Sequence, residues 1–133
     1  MAPTGAPDAD GVWTLDLRTW RPLHPQRLHE EVEAVATAGT RSRGRFWLPG
    51  RPAVVGAWDG GGGQLSLGDV GYWDKTERST RLVVTGMHPA LRAHVAAAFD
   101  RVALTDAELA RGRDWWVARD DGFDQWLGAR DAA

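Results

Sequence analysis

Residues 40–52 read TRSRGRFWLPGRP, and the rest of the chain is organised around this stretch. Side chains along a β-strand point alternately to its two faces. The alternation places Arg41, Arg43, Arg45 and Trp47 on one face and small or apolar residues on the other. The Pro-Gly pair that follows is typical of a turn. The stretch therefore predicts a strand with an outward line of positive charge, here called the arginine row (Arg41, Arg43 and Arg45).

The composition is typical of a single globular domain. The chain has 133 residues, of which 43% are hydrophobic and 26% charged, a normal balance for one folded core. Its net charge of −2 favours neither a general nucleic-acid binder nor a membrane-surface protein. Cysteine is absent, which excludes disulfides and thiolate metal sites. Without a long apolar run or a secretory signal, the sequence predicts a soluble cytoplasmic protein.

Three regions are predicted along the chain. Residues 1–10, rich in Pro, Ala and Asp, predict a flexible leader. Residues 11–112 predict an α+β domain, and residues 113–133 a Trp-rich tail that packs on it. Residues 18–51 hold seven Arg and three acidic residues, whereas residues 100–133 hold five Arg and eight acidic residues. These two regions are expected either to attract each other or to present different faces.

The periodicity of apolar residues predicts the elements, with period two for strands and 3.6 for helices. Their order suggests an α+β split β-α-β sandwich, in which helices cover one face of a mostly antiparallel sheet of four to five strands. The predicted elements are strands at 12–17, 41–48, 53–58, 64–67 and 80–86, a helix from Pro25 to Gly39, a helix opened by Met87-His88-Pro89, a short edge strand at 102–104, a helix with a capping box from Thr105 to Gly112, and irregular chain at 68–79.

Six short motifs occur in the order found in the C-terminal domain of CobW-type GTP-dependent metallochaperones, and together they resemble that domain over residues 12–126. One departure is Arg45, which stands where the family usually has an aromatic residue. The motifs are RPLHPQRL at 21–28, RSRGRFWL at 41–48, WDGGGG at 58–63, ERSTRLVVTG at 77–86, ALTDAE at 103–108 and DGFDQW at 121–126.

The resemblance covers only the accessory part of that family. The GTPase chemistry requires a Gly-x-x-x-x-Gly-Lys-Ser/Thr loop, whereas the only lysine here is Lys75, in no such setting. The family's Cys-x-Cys-Cys motif is impossible without cysteine. The resemblance thus implies a non-catalytic interaction or regulatory domain linked to zinc or cobalt homeostasis. Its partner would be a separate CobW-type GTPase domain or a metal-requiring client protein.

Two groups of residues are candidate sites. The arginine row and Trp47 are expected to bind a partner or an anion, with RNA phosphate as an alternative; the plainer interpretation is a solvated face covered by arginine stems. His24, His29 and Glu33 could hold Zn²⁺ or Co²⁺, because two of them are one helical turn apart. This predicts a direct metal carrier as a further alternative. No nucleophile and oxyanion donor occur together in a pattern that predicts catalysis.

Overall fold

The computed structural model describes residues 11–73 and 77–129. The predicted leader at 1–10, Lys75 and the end of the tail at 130–133 lie outside the described residues. The elements in chain order are β1 (Trp13–Thr19), α1 (Pro25–Val35), β2 (Thr40–Phe46), β3 (Val54–Gly61), β4 (Gln64–Tyr72), β5 (Thr80–Gly86), α2 (Pro89–Val102), α3 (Asp106–Leu109), α4 (Arg113–Val117) and α5 (Asp124–Leu127).

The strands form one sheet in the order β1-β5-β2-β3-β4, and all neighbouring pairs are antiparallel. Because β5 lies between β1 and β2, the two strands joined by α1 run parallel without touching. This is the split β-α-β arrangement. The helices α1 and α2 pack against each other, and α2 also packs on β1 and β5. The predicted α+β class with an antiparallel sheet is confirmed.

The core lies between the sheet and these two helices. Leu15 and Leu17 of β1 are paired in register with Val84 and Leu82 of β5, and all four side chains are buried. Because successive side chains alternate across a strand, the residues between them point away from the helices. Fully burying one such side chain stabilises the fold by roughly 1.5–3 kcal/mol.

Both long helices begin with a histidine cap followed by a proline. Pro25 and Pro89 lie in the first turn, where a missing N–H is tolerated. Nδ1 of His24 accepts a hydrogen bond from the amide of Arg27 at 3.3 Å, and Nδ1 of His88 likewise accepts one from a first-turn amide of α2. A histidine side chain therefore satisfies one amide that would otherwise lack a partner at the start of each helix.

Two helices end earlier than their patterns predict. α1 ends at Val35, ahead of Gly39, and the capped helix ends at Leu109, ahead of Gly112. The capping box at Thr105 is present as predicted. Gly112 has a φ of +85° and introduces α4, so it redirects the chain between two short helices. None of the helices within 11–73 and 77–129 is long and apolar enough to cross a membrane.

The far edge of the sheet is longer than predicted. The sequence predicts irregular chain at 68–79, but β4 continues to Tyr72 because its backbone pairs with β3 across a register shift. Glycine and aspartate have low strand propensity there, and cross-strand pairing overrides it. The predicted edge strand at 102–104 is instead a single bridge between Leu23 and Ala103. The irregular chain was wrongly predicted for residues 68–72, and residues 102–104 form a single bridge and not a strand, because strand pairing depends on segments that are distant in sequence.

Gly44 allows β2 and β5 to approach closely in the middle of the sheet. A Cβ atom at this position would lie 1.8 Å from the carbonyl oxygen of Arg81 on β5, far inside any contact that real side chains make. Only glycine fits this approach without moving the strands. The backbone under the arginine row is therefore tightly constrained, although the side chains of the row are not.

The segment after α3 packs on the domain through large apolar side chains. Trp116, Phe123 and Leu127 are buried, and the last two belong to the main core cluster. Nε1 of Trp116 donates a hydrogen bond to the carbonyl oxygen of Glu108 at 3.0 Å. Aromatic side chains contribute large buried areas when they anchor a segment in this way.

Candidate functional site

The side of the sheet that faces away from α1 and α2 carries the arginine row. Arg41, Arg43 and Arg45 are exposed, whereas the alternate residues Thr40 and Ser42 are buried. We call this side the open face and define it by the outward side chains of β1, β5, β2 and β3. Besides the row, the open-face residues that matter below are Asp16, Arg18, Arg81, Val83, Thr85, Ala57 and Asp59.

Asp16 forms ion pairs with two arginines at one side of the open face. Its carboxylate accepts hydrogen bonds from Arg18 at 2.6 and 3.0 Å and from Arg81 at 2.9 and 3.0 Å. These hydrogen bonds, first those from Arg18, hold the pKa of Asp16 well below its ordinary value. Arg18 and Arg81 are therefore already engaged within the chain.

The arginine row differs from that pair. In the part of the chain that the structure describes, Arg41 and Arg43 form no ion pair or side-chain hydrogen bond. Asp59 lies directly opposite Arg43 in the strand register but beyond ion-pair distance. The guanidinium of Arg45 lies 6.0 Å from the ring centroid of Trp73. The charges of the row are thus exposed without an acidic partner among the described residues.

Trp47 lies just beyond the end of β2, next to the row. Its Nε1 donates a hydrogen bond to the carbonyl oxygen of Trp20 at 3.2 Å, and the guanidinium of Arg78 lies 5.5 Å from the ring centroid. The side chain is half-buried. These contacts hold the ring in place beside the open face, and its use in partner binding stays a prediction.

Both ring nitrogens of His24 take part in the fold. Nδ1 caps α1, and Nε2 lies 3.4 Å from a carboxylate oxygen of Glu108. Burial, the largest influence, lowers the pKa of His24. Glu108 itself accepts hydrogen bonds from Arg27 at 2.6 and 2.7 Å, which lower its pKa to about 2. The cluster ties the start of α1 to α3.

The structure does not gather the predicted metal ligands around one point. The ring of His29 stacks on Phe123 at 4.2 Å, and His29 and Glu33 line an apolar cavity of about 190 Å³ between α1, β4 and α5. His24 does not line this cavity. In residues 11–73 and 77–129, no group of three candidate ligands that includes either histidine lies within 4.8 Å. Metal binding by His24, His29 and Glu33 stays a prediction, and it requires the side chains to rearrange.

A buried arginine organises the acidic end of the chain, and the sequence did not reveal it. The ligand atoms of Asp120, Asp121 and Asp124 lie within 4.8 Å of one another. Arg51, only 5% exposed, donates to Asp121 at 2.7 and 3.0 Å, to Asp124 at 2.6 Å and to the carbonyl oxygen of Gly128 at 2.6 Å. Arg51 belongs to the same arginine-rich stretch as the exposed row. In the sequence, the only indication that it pairs with acidic residues was the opposite charge of residues 18–51 and 100–133.

The fold is a two-layer α+β domain with an open sheet face, and comparison with known proteins identifies its family. Residues 12–103 match the family described as the cobalamin synthesis protein cobW C-terminal domain. The match covers more than half of the chain, which therefore belongs to this family. The resemblance stated from the sequence motifs is confirmed. What is matched is the C-terminal domain and not the catalytic GTPase part.

Individual relatives are much longer than this chain. It is 41% identical over 66 residues to the zinc chaperone Rv0106 of Mycobacterium tuberculosis, which covers 49% of this chain and 17% of the relative. It is 25% identical to the zinc-regulated GTPase metalloprotein activator 1 of Dictyostelium discoideum, over 80% of this chain and 28% of the relative. The chain thus spans less than a third of each.

A solved structure shows the same fold. The Zn(II)-bound YjiA GTPase from E. coli superposes with a TM-score of 0.60 at 17% sequence identity. The similarity covers 69% of this chain and 30% of that protein. At this identity the comparison supports the fold alone.

Proposed function

We propose that this chain is a non-catalytic interaction domain linked to zinc homeostasis. It would act in the cytoplasm by binding a protein partner, either a separate CobW-type GTPase domain or a metal-requiring client. Membership of the cobW C-terminal family supports the role, as do the names of two relatives, a zinc chaperone and a zinc-regulated metalloprotein activator. Zinc is favoured over cobalt because both names specify zinc.

The observation that carries the proposal is the open face. The helices α1 and α2 lie on one side of the sheet only, and the other side presents Arg41, Arg43 and Arg45 without an acidic partner among the described residues. The sheet fixes the backbone positions of these residues, so binding has to order only their side chains and not the backbone. We assign partner binding to this row, together with Trp47 at its end.

In this proposal the metal belongs to the partner. The imidazole of His24 is engaged in capping α1, and that of His29 is stacked on Phe123. A Zn²⁺ ion bound at Nδ1 of His24 would break the hydrogen bond that caps α1, and within residues 11–73 and 77–129 no three-ligand group includes either histidine. The chain then contributes recognition, and the partner contributes the metal chemistry.

The test is affinity purification from the cells that encode the protein, with the full chain as bait. A captured protein is then produced recombinantly, and its affinity for the purified chain is measured by isothermal titration calorimetry. We expect a CobW-type GTPase or a zinc-dependent enzyme to bind in the purified state. If no captured protein binds the pure chain, the proposal is overturned.

A further inference from the structure

The arginine row presents positive charge at a regular spacing in the centre of the sheet. Alternate residues of a strand are about 7 Å apart, so the three Cα atoms of the row span about 14 Å. β2 is the middle strand of five and is hydrogen-bonded to β5 on one side and β3 on the other. The spacing is therefore fixed by the sheet and does not depend on a loop.

Mostly short side chains flank the row. Its register partners are Val83, Thr85 and Arg81 on β5 and Ala57 and Asp59 on β3. The one long partner, Arg81, is turned toward Asp16, so the surface along the row stays shallow and does not enclose a compact ligand. An extended chain can lie along such a surface, with its own alternate side chains at the same repeat as the row.

The remaining charges of the open face do not compensate the row. Asp16 is held by Arg18 and Arg81, and Asp59 is the only other acidic residue among the outward side chains of β1, β5, β2 and β3. Three arginines therefore face one unpaired carboxylate. Guanidinium groups favour carboxylates, which they can bind through two parallel hydrogen bonds.

From this geometry we propose that the open face binds an extended acidic segment of a protein partner, with carboxylates at alternate positions engaging Arg41, Arg43 and Arg45. The inference rests on the proposed function and specifies the chemistry of the partner. Nucleic acid is disfavoured because proteins that bind it usually carry a net positive charge, whereas this chain has a net charge of −2.

The experiment measures binding of synthetic probes by fluorescence anisotropy. The main probe is the end-blocked peptide ETETETE, whose carboxylates alternate, and its isomer EEEETTT carries the same charge in one block. Oligouridylate of similar charge serves as the nucleic-acid probe. We expect ETETETE to bind more tightly than the other two, and we expect its affinity to fall as salt screens the exposed charges.

Two variants of equal net charge show where the probe binds. The row variant combines Arg41→Ser, Arg43→Ser and Arg45→Ser, and the control combines Arg101→Ser, Arg111→Ser and Arg113→Ser outside the open face. Exposed ion pairs are individually weak, so losing three should reduce ETETETE affinity about tenfold. The control variant should stay within about twofold of the natural chain, because general charge attraction alone contributes little at moderate salt.

The outcomes separate this inference from the proposed function. Equal binding of ETETETE and its isomer, tighter binding of oligouridylate, or equal losses in both variants would each overturn the acidic-segment inference. If a recombinant partner binds the row variant as well as the natural chain, the acidic-segment inference and the assignment of partner binding to the row both fail, whereas the non-catalytic interaction role of the domain stands. If the natural chain binds ETETETE more tightly than the row variant does, but no captured protein binds the pure chain, the proposed function fails and the acidic-segment inference stands.

Discussion

Arg51 and the arginine row lie within eleven residues of sequence but have opposite environments. Arg51 is buried, and its guanidinium is bound to Asp121, Asp124 and a carbonyl oxygen of the tail. Arg43 is exposed and lacks an acidic partner in the part of the chain that the structure describes. One arginine holds the fold together, whereas the other is available to something outside it. Strand alternation predicts that the row is exposed, but nothing in the local sequence predicts that Arg51 is buried in an ion pair.

The different environments of Arg51 and the row follow from where the acidic second half of the chain packs. The tail passes beside the turn after β2 and meets Arg51, and α3 meets Arg27 through Glu108. The described chain brings no acidic segment to the open face apart from Asp16 and Asp59. Glu108, Asp121 and Asp124 therefore form their ion pairs away from the arginine row.

The largest expected effect is on stability, from Arg51→Met. The change removes the two hydrogen bonds that Arg51 donates to the buried carboxylate of Asp121, and removing one member of a buried pair costs about 3–5 kcal/mol. The measurement is urea denaturation followed by tryptophan fluorescence. Arg43→Met is the matched control and should change the free energy of unfolding by less than about 0.5 kcal/mol. Similar losses in the two variants would contradict the division of roles.

The second prediction concerns the backbone beneath the row. Gly44→Ala places a Cβ atom against the Arg81 carbonyl, so β2 and β5 must separate, at a cost of about 2–3 kcal/mol. The same denaturation assay measures it. Gly68→Ala is the control, because a Cβ atom there meets nothing within 4 Å. If Gly44→Ala is as stable as Gly68→Ala, the backbone beneath the arginine row is not tightly constrained.

The third prediction is that the stability contributed by Glu108, at the start of α3, depends on pH. The pKa of Glu108 is about 2, below its ordinary value of 4.5, mainly because of its hydrogen bond with Arg27. A lowered pKa means that the carboxylate stabilises the fold above pH 4.5 and that this contribution is lost as the pH falls toward 2. Partial exposure limits it to about 1–2 kcal/mol.

Thermal denaturation between pH 7 and pH 2.5 measures this contribution. Glu108→Gln should be less stable than the natural chain near pH 7, and the difference should shrink in acid. Glu33→Gln is the control on an exposed carboxylate that forms no ion pair with a described residue. A stability difference between Glu108→Gln and the natural chain that stays constant with pH would show that it does not come from the charge of Glu108.

A smaller effect is expected for Arg45→Phe, which restores the aromatic residue common in the family. The position is exposed, so the free energy of unfolding should change by less than about 0.5 kcal/mol. Affinity for ETETETE should fall about threefold, because one exposed ion pair is lost. Arg45→Lys retains the charge and should lose less. Unchanged affinity in Arg45→Phe would remove Arg45 from the binding surface.

The smallest expected effect is on zinc binding. Calorimetric titration of the pure chain with Zn²⁺ should show no submicromolar site, because His24 and His29 are engaged in contacts of the fold. His29→Ala should leave the titration unchanged. Submicromolar binding that disappears in His29→Ala would instead favour the direct-carrier alternative through His24, His29 and Glu33.

Much of the open face could be predicted from sequence because strand alternation is a local property. The pattern from Thr40 to Leu48 correctly separates Ser42 and Phe46, which are buried, from the exposed arginine row. The capping box at Thr105 is equally local and was also found. The charge pattern left open whether the basic and acidic regions attract each other or present different faces, and the Arg51 network is an instance of attraction.

The rest depends on segments that are far apart in sequence. Arg51 and Asp121 are 70 residues apart, and Asp16 and Arg81 are 65 apart. No periodicity connects such positions, so their pairing was invisible in the pattern. The same reason explains the length of β4, which is set by its partner strand.

The sequence by itself determined the class of fold, the family and the line of outward arginines, since each follows from local periodicity or short motifs. The tertiary structure decided which charged side chains form ion pairs within the molecule and which stay available to a partner. The pairing depends on which distant segments pack together. Asp121 pairs with Arg51 and Asp16 with Arg81, whereas no described acidic residue pairs with Arg41 or Arg43. The balance of charge on a surface is therefore a property of the packed chain.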